Sequence, residues 1–275
     1  MKTFEYTFTA PSSDIQHDML ITMLAEIGFD SFMDEDRCLK AYCSADNRDD
    51  IAVENLLTDP TFFDVHLLKV EEMPDKDWNE LWEASYQPVM VNERCRVRAP
   101  FHEPDLSYEF DLVIEPKMSF GTANHETTAQ IIQLMLETDF QGPEVLDMGS
   151  GTAVLAILAK KLGAARTVAI DNDEWAYRNA FTNCELNGIS DIEIVLGDAL
   201  SIEGNFDMVL ANINRNILLR DMHHYVDAMR PAAHIFFSGF YTEDLLSIKE
   251  EAKRLGLRYC RHLSRNNWVA AEFVK

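Results

Sequence analysis

The sequence predicts an α/β protein in which a small α+β domain precedes a doubly wound, mostly parallel sheet. Beyond residue 140, short apolar strands alternate with helical segments, which is the pattern of a parallel sheet covered by helices. The first of these strands runs into a glycine turn, GSG at 149–151. Residues 1–86 hold 20 acidic and 6 basic side chains, against 27 and 18 in residues 87–275. A shift in composition of this size indicates a separate N-terminal module.

The N-terminal module is predicted to be a ferredoxin-like α+β sandwich. Phe4, Tyr6 and Phe8 alternate with polar residues as in a strand, and Ser12 and Ser13 suit the cap of a helix. That helix has six apolar side chains at helical spacing before Gly28: Ile15, Met19, Leu20, Met23, Leu24 and Ile27. Strands are predicted over 29–33, 39–45 and 62–70, and a second helix over 49–57. The resulting β-α-β-β-α-β order is that of the ferredoxin-like fold.

The rest of the chain begins with a predicted connecting helix over 76–86, whose aromatic side chains are expected to pack between the domains. Two strands follow over 95–99 and 108–114. Strands of the parallel sheet are predicted over 145–147, 167–171, 192–196, 206–211 and 234–238. The end of the chain, 258–263 and 268–274 joined by SRNN, is predicted to form a β-hairpin. We therefore expect a ferredoxin-like domain over 1–73, a linker helix over 74–90 and an α/β domain over 91–275.

The composition excludes several classes of protein. The 275 residues carry a net charge of −23, so the phosphates of nucleic acids repel the chain and no direct nucleic-acid partner is expected. The longest apolar run, over 153–159, is too short to span a bilayer, and the N-terminus lacks the apolar region of a signal peptide. We expect neither membrane insertion nor secretion. Arg94, Arg96 and Arg98 recur with a period of two and are expected on a solvated strand face.

The cysteines are scattered and odd in number, which predicts reduced thiols in a cytoplasmic protein and no metal site. They are Cys38, Cys43, Cys95, Cys184 and Cys260. No pair among them has the close spacing of a zinc site or a redox motif.

The segment EVLDMGSGTAVLAI, over 144–157, predicts a strand, a glycine turn and a helix. Gly149 and Gly151 allow the backbone to bend tightly and a ligand to approach it closely. A dinucleotide-binding turn would have glycine where this chain has Val154, so a nicotinamide cofactor is disfavoured. Asp147 adds a carboxylate at the strand end, which suits a cationic ligand such as an aminoacyl or sulfonium group better than a pyrophosphate.

Two further carboxylates follow the next two strands. Asp171 ends the second strand, and in combination with the glycine turn it favours binding of the ribose hydroxyls of a nucleoside. The helix after it has Asn172 and Asp173 as candidate caps. Asp198 ends the third strand, where it suits either an adenine amino group or a turn after Gly197.

Two more segments fall at the same edge of the predicted sheet. In FDMVLANINRNIL, Asn212 ends the fourth strand and offers an amide donor and a carbonyl acceptor, while Asn214 suits a helix cap. The segment EPKMSFGTANHETT, over 115–128, predicts either a loop that covers a ligand or a simple capped helix, with Thr127 and Thr128 in its first turn.

These segments together resemble the class I S-adenosylmethionine-dependent methyltransferases, and within them the ribosomal protein L-eleven methyltransferase (PrmA) family. The resemblance covers nearly the whole chain: DWNELWEASYQPV, EPKMSFGTANHETT, VLDMGSGTAVLAILAKKLGA, ANINRNILL, SGFY and NNWVA. The FGT-x-x-H-x-TT loop, paired with the glycine turn and AN-I, is specific to this family. The resemblance implies a Rossmann-like class I methyltransferase domain, preceded by a ferredoxin-like substrate-recognition domain on a flexible linker.

The resemblance also implies a cofactor, a substrate and a set of site residues. S-adenosylmethionine is the expected cofactor, and the resemblance places Thr128, Gly149, Asp171 and Asn212 against it. The residue pattern adds Gly151 of the glycine turn and Asp198 to the expected contacts. The implied reaction methylates the N-terminal α-amine and lysine side chains of a basic ribosomal protein at the stalk base of the large subunit. An acidic recognition domain suits such a partner. We expect a monomeric enzyme in which a neutral amine of the substrate, oriented by Asn212, attacks the methyl group as S-adenosylhomocysteine leaves. His125 is expected to have a role in loop structure.

The chain departs from the family pattern at two alanines. Ala123 and Ala153 stand where the family usually or often has glycine, and either would be strained if its φ is positive. Cofactor affinity could then be weakened. Two alternatives to the expected activity remain open at this point: a methyltransferase of another basic protein, and a catalytically weak acidic protein that binds a ribosomal protein.

Overall fold

The computed structural model describes residues 2–35, 38–73, 86–116 and 126–275. The chain divides into two compact units, Met1–Tyr86 and Gln87–Lys275. Most of the predicted connecting helix lies outside the described residues, so the linker over 74–90 stays a prediction.

The first unit has the predicted order of strands and helices. Its elements are β1 Thr3–Thr9, α1 Asp14–Glu26, β2 Ser31–Glu35, β3 Cys38–Ser44, α2 Asp50–Leu57 and β4 Leu67–Glu72. The strands form one antiparallel sheet in the order β2-β3-β1-β4. Ser13 caps α1 by accepting a hydrogen bond from Gln16 N, and Asp49 caps α2 in the same way. The fold is the predicted ferredoxin-like sandwich.

The predicted strand over 62–70 is wrong in its first half. Pro60–Phe62 is a 3₁₀ turn, and β4 begins only at Leu67. Asp59 starts that turn by accepting a hydrogen bond from Thr61 N at 2.8 Å, and Pro60 has the fixed φ that suits a first helical position. Phe62, expected on a strand, is buried by the turn instead.

The apolar face of α1 is narrower than its sequence suggests. Leu20 and Leu24, one turn apart, are fully buried. Ile15 and Met19 are also one turn apart, but they remain 74% and 42% exposed. A helix on one face of a sheet buries only the stripe that faces the strands, and these two residues lie beyond it.

The second unit contains ten strands and five helices among the described residues. Its strands are β5 Val89–Met90, β6 Cys95–Arg98, β7 Phe110–Val113, β8 Glu144–Met148, β9 Arg166–Asp171, β10 Ile192–Leu196, β11 Phe206–Asn212, β12 Met229–Tyr241, β13 Arg258–Arg265 and β14 Trp268–Val274. Its helices are α3 Glu126–Leu136, α4 Val154–Leu162, α5 Glu174–Leu186, α6 Arg215–Asp227 and α7 Leu245–Arg254.

Seven of these strands form the main sheet, in the order β10-β9-β8-β11-β12-β14-β13. The first five strands are parallel, whereas β14 and β13 are antiparallel to their neighbours. One apolar core lies on the side of α3, α4 and α5, and a second on the side of α6 and α7. The doubly wound sheet is therefore confirmed. Its strand order reverses between β8 and β11, where ligands bind in folds of this kind.

The terminal hairpin is confirmed. β13 and β14 pair directly up to Arg265 and Trp268, and the two residues between them, Asn266 and Asn267, have φ of +48° and +68°. Positive φ at both central residues is the geometry of a type I′ turn, and asparagine tolerates it better than most residues.

The expectation of a solvated arginine face is wrong for Arg96 and Arg98. β6 pairs with β7 in a separate small sheet with β5, which brings Asp111 beside both arginines. The Arg98 Nε lies 2.7 Å from the Asp111 carboxylate, and the Arg96 and Arg98 side chains are only 11% and 10% exposed. The period of two correctly predicted that the arginines share one face of the strand. That face is covered because the carboxylate of Asp111, on the neighbouring strand β7, lies against it.

No helix in the described ranges is long and apolar enough to cross a membrane. The five cysteines are free thiols, as expected. Within the same ranges, no group of histidine, cysteine and carboxylate side chains is suited to hold a metal ion.

Candidate functional site

The switch point of the main sheet brings the predicted site residues together. β8 lies between β9 and β11, so the turn that follows β8 is flanked by Asp171 at the end of β9 and Asn212 at the end of β11. The glycine turn therefore lies between the two polar side chains that the sequence singled out.

The glycine turn is held by the backbone around it. The N–H groups of Gly149 and Ser150 both donate to the carbonyl oxygen of Ile170, at 2.8 and 3.1 Å. Gly149 has φ of +66°, and a Cβ built on it would lie 2.2 Å from Cγ2 of Ile213. Only glycine fits this position, because both the conformation and the space exclude a side chain.

Asp171 fastens the turn to the neighbouring strand. Its Oδ2 accepts a hydrogen bond from Gly151 N at 2.8 Å, and its Oδ1 accepts one from Asp173 N at 2.9 Å. Asp173, not Asp171, caps α5, by accepting from Ala176 N at 2.8 Å. The carboxylate of Asp171 is thus fixed in place, and each oxygen keeps a second lone pair for a ligand hydroxyl.

Asp147 lies beneath the turn and is almost completely buried, with 1% of its surface exposed. Its Oδ2 accepts a hydrogen bond from Ala156 N at 3.0 Å, in the first turn of α4. The residue at the helix cap, Ala153, has no side-chain acceptor, so Asp147 supplies one from the preceding strand. Oδ1 has no hydrogen-bond partner within the described residues.

The environment of Asp147 raises its pKa to about 7. Burial is the main cause, and the negative charge of Asp171 adds to it, whereas the hydrogen bond from Ala156 acts in the opposite direction. A cation placed near Oδ1 would favour the charged form of this carboxyl group.

Ala153 has a positive φ, a conformation that strains alanine but would not strain the glycine that the family often has at this position. Its φ is +60° and its ψ is +20°, in the left-handed region, and its methyl group is completely buried. That conformation costs about 1–2 kcal/mol for a residue with a Cβ. Ala123 lies outside the described residues, as does His125.

Asn212 and Thr128 meet at the other side of the turn. The Asn212 Nδ2 donates a hydrogen bond to Thr128 Oγ1 at 3.0 Å, although the two residues are 84 positions apart. Thr128 is buried in the first turn of α3. The cap of α6 is Asn214, which accepts from Ile217 N at 3.1 Å, so Asn212 is free of that role, as predicted.

Asp198 starts a 3₁₀ turn over Ala199–Ser201. Its Oδ1 accepts a hydrogen bond from Leu200 N at 2.9 Å, and its side chain is exposed. Of the two interpretations that the sequence left open for Asp198, the structure shows the turn. A contact with an adenine amino group stays a prediction.

Gly239, in the SGFY segment, belongs to the site but was not singled out by the sequence. Its φ is +91°, and a Cβ built on it would lie 2.3 Å from the carbonyl oxygen of Ile213. Ile213 is therefore held between two glycines, Gly149 and Gly239, immediately after Asn212. A glycine inside a strand often marks such a close approach of backbone to backbone, so the sequence alone could have indicated this contact at Gly239.

Asn183 was missed as well. It is fully buried on α5, where its Nδ2 donates to Thr152 O at 3.0 Å and its Oδ1 accepts from Glu115 N at 2.8 Å. One side chain thus joins the glycine turn to the segment that leads into residues 117–125. The sequence does show asparagines at every fourth position along α5 and just after its end, at 179, 183 and 187. Asn187 bonds to both the N–H and the carbonyl of Val113.

The rim beside Asn212 is built by the hairpin and α3. Gln130 Nε2 donates to Trp268 O at 3.2 Å, and Asn266 Nδ2 donates to Glu126 Oε1 at 2.8 Å. The Tyr241 and Trp268 rings pack with centroids 4.1 Å apart. Since Asn212 pairs in register with Ser238, this aromatic pair lies three residues further along the neighbouring strand.

A sequence profile of the family described as "Ribosomal protein L11 methyltransferase (PrmA)" matches residues 10–275. The chain belongs to this family.

Similar proteins agree with this assignment. The "Ribosomal protein L11 methyltransferase" of Bacteroides fragilis is 43% identical over 282 residues, with full coverage of both chains. The protein of the same name from Porphyromonas gingivalis is 44% identical over 264 residues, which cover 94% of this chain and 90% of that one. The crystal structure of a ribosomal protein L11 methylase from Lactobacillus delbrueckii subsp. bulgaricus has a TM-score of 0.64 and 25% identity, covering 68% of this chain and 98% of that one.

Members of the PrmA family are S-adenosylmethionine-dependent methyltransferases, and this chain is one of them. The residues at the switch point fit that cofactor. Asp147 offers a buried carboxylate oxygen without a partner in the described residues, which suits a positively charged ligand. The nearby Asp171 carboxylate suits ribose hydroxyls and would repel a pyrophosphate.

A second polar cluster lies at the opposite end of the same strands. His234 Nδ1 is 2.7 Å from Glu272, and His234 pairs in register with Met208 at the start of β11. Asn212 is four residues further on, about 13 Å away at the rise of a strand. A cavity of about 480 Å³ lined by Glu137, Asp139, Arg261 and this pair is therefore separate from the glycine turn.

Replacing Gly239 with alanine is expected to lower the free energy of unfolding by more than about 2 kcal/mol, because the new methyl group must displace the backbone of Ile213. Gly256→Ala is the matched control. Gly256 has a similar φ of +87°, but nothing lies within 4 Å of its Cβ position, so only the conformational cost of about 1–2 kcal/mol applies. Urea denaturation measures both variants. Equal losses in the two would show that the contact with Ile213 is unimportant.

Proposed function

We propose that this chain transfers methyl groups from S-adenosylmethionine to the N-terminal α-amine and to lysine ε-amines of ribosomal protein L11. The observation that carries the proposal is the arrangement at the switch point. The Asn212–Thr128 pair lies on one side of the glycine turn, and Asp171 lies on the other. The relatives of the chain are named for methylation of the same ribosomal protein.

The residues proposed to contact the cofactor are Thr128, Gly149, Gly151, Asp171, Asp198 and Asn212. Asp171 is suited to the ribose hydroxyls because its carboxylate is held by two backbone N–H groups. Asp147 is suited to balance the positive charge of the bound molecule, since its second oxygen is buried without a partner in the described chain. The glycines keep the turn free of side chains.

S-adenosylmethionine supplies an electrophilic methyl group when it is bound. The accepting amine must be neutral, and the pKa of a free α-amine is about 7.7–8.0, against about 10.4 for lysine. Lysine therefore needs more help, which burial of its ammonium group can give by lowering its pKa. Asn212 is proposed as the residue that orients the amine, since its amide is itself fixed by Thr128.

The proposed partner is a basic ribosomal protein, consistent with the net charge of −23. We also propose that the chain acts as a monomer in the cytoplasm and binds the protein without direct contact to nucleic acid. The domain limits of 1–73 and 91–275, joined by a linker over 74–90, belong to this proposal too.

The test is intact-mass spectrometry of unmethylated ribosomal protein L11 after incubation with this chain and S-adenosylmethionine. We expect mass gains in steps of one methyl group, which peptide mapping places on the N-terminus and on lysines. If the chain binds both molecules and no mass is gained, the catalytic proposal fails and a binding protein is the better description. Methylation of other basic proteins at equal rates would remove the proposed specificity.

A further inference from the structure

We propose that one surface of the first unit docks a cationic, partly apolar segment of the substrate protein. The surface consists of the outward side of α1 and the adjoining 3₁₀ turn, and we call it the α1 face: Asp14, Ile15, Asp18, Met19, Asp59 and Phe63. The proposal rests on the proposed function, and it adds the place where the basic partner is held.

The excess negative charge of this unit is not shared equally between its two layers. The helices and their connections, residues 10–30 and 45–66, hold ten carboxylates and one guanidinium. The strands and their ends, residues 2–9, 31–35, 38–44 and 67–73, hold five carboxylates and three lysines. The helical layer therefore carries most of the charge that could attract a basic partner.

The lysines of the strand layer are already paired. Lys40 lies 2.5 Å from Glu35 and 3.5 Å from Glu5, and Lys69 lies 2.6 Å from Glu71. In the helical layer, Arg48 pairs with Asp50. None of the other nine carboxylates in this layer has a lysine or arginine within 4.0 Å in the described part of the chain.

Large apolar side chains are exposed among these carboxylates. Ile15 is 74% exposed, Met19 is 42% exposed and Phe63 is 73% exposed. Phe63 lies beside the first turn of α1, because Gln16 Nε2 donates to Thr61 O at 2.7 Å and Ser12 N donates to Asp64 Oδ2 at 3.0 Å. Apolar and aromatic residues surrounded by charged ones are typical of protein–protein interfaces.

The chemistry of the α1 face identifies the kind of partner. Carboxylates that repel one another are stabilised by lysine or arginine side chains from outside, and covering the exposed apolar side chains with an apolar surface is favourable. A protein segment that presents both satisfies the face, whereas nucleic acid would be repelled. The open face of the sheet is a weaker candidate because its carboxylates are neutralised by their own lysines.

The structure offers matched pairs of variants to test the α1 face. Met19 and Met33 are 42% and 45% exposed, but Met33 pairs in register with Lys40 and so lies on the open side of the sheet. Met19→Ser is therefore compared with Met33→Ser. The second comparison uses two double variants that change the net charge by the same amount. One combines Asp14→Asn and Asp18→Asn, and the other combines Glu35→Gln and Glu71→Gln.

The experiment measures the Kd for unmethylated ribosomal protein L11 by calorimetry, together with KM, kcat and the Kd for S-adenosylmethionine. We expect the α1-face variants to raise Kd and KM about tenfold with kcat and cofactor affinity unchanged, and the sheet variants to change them less than about twofold. If the α1-face variants bind ribosomal protein L11 as tightly as the wild type does, the proposed docking surface is wrong. It is also wrong if the sheet variants lose as much affinity as the α1-face variants. Either result leaves the proposed function intact. No binding by the wild-type chain overturns the proposed function and this inference together.

Discussion

Replacing Asn212 with alanine is expected to slow methyl transfer by about 10²–10³-fold, while the Kd for S-adenosylmethionine changes less than about threefold. The reason is that Asn212 offers an oriented amide beside the glycine turn, fixed by its hydrogen bond to Thr128. The cofactor would keep its other contacts, whereas the amine would lose the group that aligns it. Single-turnover kinetics and calorimetry measure the two effects separately.

Asn214→Ala is the control for Asn212→Ala. Asn214 caps α6, so its loss is expected to cost about 1 kcal/mol of stability and to leave the rate of transfer unchanged. Thr128→Val removes only the hydroxyl that holds Asn212 and is expected to give an intermediate rate. Asn212 does not orient the amine if its alanine variant transfers methyl groups at the wild-type rate. A loss of cofactor affinity as large as the loss of rate would likewise exclude that role.

The second large effect concerns pH and Asp147. The pKa of Asp147 in the free protein is raised to about 7, and a cationic ligand binds best when this group is ionised. The affinity for S-adenosylmethionine is therefore expected to fall as the pH drops below 7, by up to about tenfold per pH unit, and to level off above it. Calorimetric titrations between pH 5.5 and 8 measure this dependence.

Asp147→Asn separates the protein's titration from that of the ligand. The variant keeps an acceptor for Ala156 N but has no ionisable group, so the part of the pH dependence due to Asp147 is expected to disappear. Its affinity above pH 7 is expected to be weaker than that of the wild type. The same slope in variant and wild type would show that Asp147 does not sense the bound cation.

The same residue predicts an effect on the stability of the free protein. A buried carboxyl group whose folded pKa is raised favours the folded state at low pH, and this advantage is lost as the pH rises from about 4 to about 7. The wild type is therefore expected to lose stability between pH 5 and pH 8, and Asp147→Asn is not. The unfolding free energy of the variant, relative to that of the wild type, should be a few kcal/mol higher at pH 8 than at pH 5. Denaturation curves at the two pH values measure the difference.

Local patterns were enough to predict much of the fold. The parallel strands, the glycine turn and the hairpin at Asn266 and Asn267 depend on residues close together in the sequence. The false start of β4 at residue 62 has a local cause too, since Asp59 and Pro60 form a turn within an otherwise apolar run. Periodicity alone does not distinguish such a buried turn from a strand.

The parts of the site that were missed depend mostly on distant contacts. Asn183 bonds to two backbone groups 31 and 68 positions away. The exception is Asp147, which takes over the capping of a nearby helix because Ala153 has no side-chain acceptor. The family resemblance placed Asn212 and Thr128 at one cofactor site, but their hydrogen bond across 84 positions was not predicted. The surroundings of Arg98 likewise depended on which strand would lie beside β6.

The most direct test of the proposed site is a crystal structure of this chain with S-adenosylhomocysteine. We predict that the ribose hydroxyls contact Asp171, that the amino-acid end lies over the glycine turn near Asp147, and that the sulfur faces the Asn212–Thr128 pair. Binding at the far end of the strands, beside His234 and Glu272, would contradict this prediction, as would an orientation that leaves Asp171 without a ligand hydroxyl.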